Sequence, residues 1–191
     1  MNVTTPSRTA GSGASGPIGR LLQGVEYAIG QLGNATAWLT LALVLLVCVD
    51  VAMRYIWQTG SVAQQELQWH LLAVIAMISA SYTYQQGDHV RVDILYQHYA
   101  PWLRRAFDIV VNLLVVVPTM LFLVWISLGF VEQSWMLGEG SSDPGGLPAR
   151  YVIKAFVPLG FALVALQGLV RGLIDLLVLL PGAHREVHHG A

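Results

Sequence analysis

Asp50 lies four residues before Arg54 near the end of a long apolar run, which makes it the ionisable group set deepest in such a run. Residues four apart share a helical face, so two chemistries are open: a cation or proton site built on the carboxylate, or an ion pair that closes a helix. The ion pair is the stronger reading. One carboxylate beside an arginine makes a poor cation cage, and the same arginine disfavours protonation. Glu66 opens the next apolar run and is the better candidate for an inter-helix or inter-subunit partner of Arg54. His70 and His89 fall near opposite ends of that second run, so they cannot both take the axial positions of one haem. His184, His188 and His189 sit in a polar tail that reads as solvated rather than as a metal site. With Cys48 as the single cysteine, neither an intrachain disulfide nor a cysteine-rich zinc or iron–sulfur site can form. No GxSxG elbow, HExxH pair or P-loop supplies a nucleophile, a zinc site or a phosphate cradle. These residues point away from an enzyme, and no metal or cofactor is expected.

The elements that position these groups are apolar and long. The chain has 191 residues, of which 55% are hydrophobic and 11% charged, with a mean hydropathy of +0.59. Soluble domains carry about 25% charged residues, so a water-soluble fold is excluded. A net charge of -1 gives no reason to bind nucleic acid. Stretches 27–49, 67–87, 109–131 and 155–170 contain no formal charge, the last continuing past Arg171 and Asp175, which can pair at four-residue spacing. Crossing about 30 Å of hydrocarbon takes roughly 20 apolar residues in a helix, and barrel strands would alternate instead. The expected fold is an all-α integral membrane bundle of four transmembrane helices with interfacial amphipathic segments. Its spans are expected over about 33–55, 67–87, 106–131 and 151–175, inside a membrane domain covering 18–182. Residues 1–17, rich in Gly, Ser and Pro, read as a disordered tail, and 183–191 as a second short tail.

Flanking segments add detail. Ile18, Leu21, Leu22, Val25, Ile29 and Leu32 recur at helical spacing, either as an interfacial helix leading into the first span or as an early start of that span. The aromatic connector from Val90 to Arg105 is expected to lie along the membrane surface until Pro101 breaks it. Ser141 to Gly146 form a dense set of turn residues, and Pro148 suits the first turn of the fourth helix. Pro118 and Pro158 fall inside spans and are read as structural bends. With the N-terminus inside, seven cations (Arg8, Arg20, Arg91, Arg104, Arg105, Arg171, Arg185) fall on inner segments and three (Arg54, Arg150, Lys154) on outer ones. That asymmetry places both termini in the cytoplasm.

Arg54-Tyr55 closing helix one, Gln65-Glu66-Leu67 opening helix two and Gly87-Asp88-His89-Val90-Arg91-Val92-Asp93 closing it resemble the small permease subunit, the DctQ family, of tripartite ATP-independent periplasmic (TRAP) transporters. The resemblance covers about residues 20 to 180, with Gln65 standing where the family often has a second acid. Gly145 to Arg150 looks like a branch associated with organic and keto acids. The resemblance implies a bacterial inner-membrane subunit working with a large permease subunit and a periplasmic solute-binding protein. It further implies import driven by an ion gradient, typically sodium, with the substrate and ion sites on the large subunit. The chain itself shows no internal repeat and no matched pair of broken helices of the kind that build transporter sites. A scaffold role follows, with Asp50, Arg54, Tyr55 and Glu66 as structural or partner contacts on the outer side and His89, Arg91 and Asp93 on the inner side. Two other classes remain open from the residues alone: a membrane anchor of a respiratory complex and a small stand-alone exporter.

Overall fold

Leu22, Glu26, Ile29, Gly33, Thr36, Leu39, Leu43, Leu46 and Asp50 recur every three or four residues, which sets them on one seam of a helix. In the computed structural model, which describes residues 17–86 and 100–179, this seam is the inward face of a single helix α1, Pro17–Ile56. Its 40 residues rise about 60 Å, twice the thickness of the hydrocarbon layer. The interfacial segment expected over 18–32 is therefore continuous with the first apolar run. Gln58, at φ 54°, takes the left-handed conformation that ends the helix and turns the chain.

Helix α2, Val62–Gln86, returns along α1. Helix α3 runs as α-helix over Pro101–Val110, a π-helical turn over Val111–Val116 and α-helix over Val117–Met136. Helix α4, Arg150–Leu179, packs against all three others. Among the described residues these are the helices, and no strand occurs. Pro101 opens α3 after Ala100 at ψ 147°, as its missing N–H predicts, so Trp102 to Arg105 form the first turn of a helix rather than the end of a surface connector. The rest of that connector, residues 90–99, lies outside the described residues, as do 1–16 of the first tail and all of 183–191. Pro148 does not enter the first turn of α4. Ala149, at φ 63°, stands between it and Arg150 in the left-handed conformation, so the helix starts two residues later than the proline.

The π-turn has a local cause. Pro118 cannot donate to the carbonyl of Leu114, and its ring crowds that carbonyl. The wider turn relieves the clash, and the Val117 N–H reaches back to Asn112. Pro158 is buried within a helix that continues on both sides of it.

Burial is inverted relative to a water-soluble protein. Thr36, Asp50, Glu66, Ser81, Asn112, Ser134 and Gln167 are buried, while Leu45, Leu114, Phe122 and Trp125 are exposed. Such a surface requires an apolar solvent, and α1, α3 and α4 are each long and apolar enough to cross a bilayer. The molecule is a helical membrane bundle. The fourth member, α2, is the shortest of the four helices and is diluted by glutamines at both ends, so it falls below the apolarity of the other three.

Small residues set how closely the helices approach. Gly33 of α1 faces the Tyr82 side chain of α2, Gly160 of α4 faces Met77, and Gly172 faces Leu113 at the π-turn. A Cβ at Gly160 would come within 2.9 Å of the Met77 carbonyl oxygen, which is backbone and cannot swing away, whereas a Cβ at Gly172 would meet the movable end of Leu113 at 2.8 Å. Gly160→Ala is expected to cost about 1–3 kcal/mol by overpacking and Gly172→Ala less. Gly24→Ala, with open space around it, should be neutral or mildly stabilising. Melting temperatures of the three variants in detergent would check this order.

Candidate functional site at the loop end of the bundle

The α1–α2 turn and the loop from 137 to 149 emerge at the same end of the bundle, termed here the loop end. Helix α3 closes with Gly138 at φ 56°. The Gly138 N–H bonds the Trp135 carbonyl at 3.0 Å and the Glu139 N–H bonds the Ser134 carbonyl at 3.1 Å, the paired bonds of a Schellman cap. This cap folds Glu139 back over the helix end, where the Ser134 hydroxyl donates to its carboxylate at 2.7 Å. Lys154 forms an ion pair with the same carboxylate and lies 4.1 Å from the centre of the Phe130 ring. The Arg150 N–H reaches the Glu139 carbonyl at 2.8 Å and the Ser141 N–H reaches Leu147 at 3.0 Å, which closes the loop on itself.

Glu66 sits beneath that loop with 1% of its surface exposed. Its carboxylate accepts the Ser141 hydroxyl, the Leu147 N–H at 2.5 Å and the Arg150 guanidinium at 3.1 Å. A Cβ on Gly146 would come within 2.8 Å of Glu66 Oε2, so the loop's approach depends on that glycine. The Ser141 hydroxyl, then the Leu147 N–H, then Arg150 hold the Glu66 carboxyl below its ordinary pKa, against the opposing effect of burial. Glu139 is lowered too, first by its bond from Lys154 and next by Ser134. Beside these groups, His70 donates from Nδ1 to the Glu66 carbonyl at 2.5 Å, because a carbonyl oxygen can only accept. Trp69, His70, Ala73, Glu139, Arg150, Ile153 and Lys154 line a cleft of about 240 Å³.

Asp50 and Arg54 pair at 3.2 Å within α1, with Asp50 buried and Arg54 half exposed. The helix-closing ion pair is thus the arrangement found. Glu66 does not meet Arg54 as expected, because Arg54 is held by Asp50 and Glu66 is held by Arg150 and the loop. Tyr55 is exposed beside the pair. His89, Arg91 and Asp93 lie outside the described residues. Sequence reasoning missed Ser141, Arg150 and the Glu139–Lys154 pair. The available signal was topological: an acid opening α2 and a base opening α4 must share one membrane face if both helices start there.

At the opposite end a second polar layer ties the helices. The Gln85 amide donates to the Glu26 carbonyl at 2.8 Å, Arg171 donates to the Gln85 carbonyl at 2.9 Å, and Tyr84 donates to Asn112 on the π-turn. From Glu66 to Gln85 the rise along α2 is about 28 Å, close to the hydrocarbon thickness. Two polar layers at that separation, each joining helices, define a membrane-embedded helical bundle tied at both faces.

The comparisons agree with that class. The family model described as the DctQ component of tripartite ATP-independent periplasmic transporters matches residues 43–177, and the chain belongs to that family. A search among curated proteins gave no match.

Because the Glu66 pKa is depressed, its contribution to loop stability is fully present above the ordinary carboxyl value of 4.5 and is lost as pH falls through the lower folded value. The protection factor of the Leu147 amide, its exchange rate corrected for the intrinsic pH dependence, should accordingly hold from neutral pH down to that value and fall only in stronger acid. Glu66→Gln should abolish this dependence and leave the loop less protected at neutral pH.

Proposed function

We propose that this chain is the scaffold subunit of a TRAP transporter in a bacterial inner membrane, holding one part of the large permease subunit still while the transport part moves. The periplasmic solute-binding protein delivers an organic acid or related solute, and a sodium gradient drives import. The large subunit carries the solute and ion sites. Family membership supplies the context. The observation that carries the reading is the use of charge at the loop end. Glu66, Glu139, Arg150 and Lys154 are committed to one another and to the loop, an arrangement that makes a rigid surface rather than a grip on cargo. Asp50, Arg54 and Tyr55 extend that surface along α1, and His89, Arg91 and Asp93 serve contacts on the cytoplasmic side.

The excess of Lys and Arg on segments of the opposite end favours a periplasmic loop end and cytoplasmic termini. In proteoliposomes containing the large subunit, sodium-driven uptake of the solute presented by its binding protein should require this chain. Full uptake without it would remove the scaffold role.

A further inference from the structure

Helix α1 has a second face, opposite the seam that packs on α2 and α4. Tyr27, Gln31, Asn34, Trp38, Leu41 and Leu45 lie within about 60° of one line along the helix, at 100° per residue. All six are exposed, Tyr27 and Trp38 by 70% and 74%. Gly30 lies beside Gln85 of one polar layer and Asp50 is at the level of the other, so the membrane midplane along α1 falls near Thr40. Asn34 is then about 9 Å and Gln31 about 14 Å from the midplane, inside a hydrocarbon half-thickness of about 15 Å. Neither amide has a hydrogen-bond partner among the described residues.

Acyl chains offer such amides nothing, and polar side chains at this depth almost always face protein. Helix α3 provides the contrast. At matching depth its exposed residues, among them Leu114, Leu121 and Phe122, include no amide and no charge. That face suits lipid, and the α1 face does not.

We propose that the Gln31–Asn34–Trp38 stripe is the docking face for a transmembrane helix of the large permease subunit, whose polar groups complete the two amides. The inference rests on the scaffold reading and adds where the contact lies. A second copy of this chain is the poorer occupant. Symmetric helix pairing in membranes favours small residues at the crossing, and here Gly33, Gly160 and Gly172 are turned inward against neighbouring helices, leaving bulky Trp38 at the centre of the stripe.

A photo-crosslinking amino acid placed at Trp38, and separately at Leu114 as the lipid-facing control, would be activated in membranes where both subunits are co-expressed. The expected result is an adduct with the large subunit from Trp38 and none from Leu114. Asn34→Leu should weaken co-purification of the large subunit about threefold, the effect of one interhelical hydrogen bond in a bilayer, and Asn34→Gln should restore it. If the two chains co-purify but Trp38 yields only lipid or self-adducts, or the adduct comes from Leu114 instead, the docking face is overturned while the scaffold reading stands. Failure of the unmodified chains to associate at all overturns both.

Discussion

Hydrocarbon supplies no hydrogen bonds, and the carboxylate of Glu66 shows how the chain meets that constraint. A buried acid at the head of α2 would be costly alone. Surrounded by the Ser141 hydroxyl, the Leu147 N–H and Arg150, it becomes the point at which α2, the 137–149 loop and α4 are joined. The Schellman cap at Gly138 and the left-handed turn at Ala149 follow from the same need, since they place the loop's donors over the acid and aim Arg150 at it. Glu139 repeats the device one layer away with Ser134 and Lys154.

Much of the bundle interior follows the same logic, although the buried Gln167 amide has no partner among the described residues. Several serine and threonine hydroxyls in the helices bond carbonyls three or four residues back, as at Thr36, Ser79 and Ser127. Asn112 is used differently. The π-turn that Pro118 imposes turns it inward to accept Tyr84, so a backbone irregularity supplies a link between α2 and α3. Close contact along α4 is then set by its glycines rather than by large interlocking side chains.

In this light the two faces of α1 divide its labour. One carries the seam that binds the helix into the bundle, ending in the buried Asp50 and its partner Arg54. The other presents two amides at depths where the exposed face of α3 shows none. Under the proposed scaffold role, one face of α1 is bound into the bundle and the other is left for a neighbour.

Charge spacing alone determined that this is a helical membrane protein, because uninterrupted apolar runs of spanning length have no stable alternative in water or lipid. The Asp50–Arg54 pair was equally legible, since four-residue spacing is a local property of a helix. The motifs around Arg54 and Glu66 pointed to the family for a related reason: they lie at helix ends, where sequence and position in the membrane coincide. What only the tertiary structure decided was which acid meets which base. Arg54 and Arg150 both lie near Glu66 in the expected topology, and the choice of Arg150 depends on how α2 and α4 pack and on how the loop turns at Gly138 and Ala149. Those are long-range consequences of glycine contacts and caps, and no spacing along the chain encodes them.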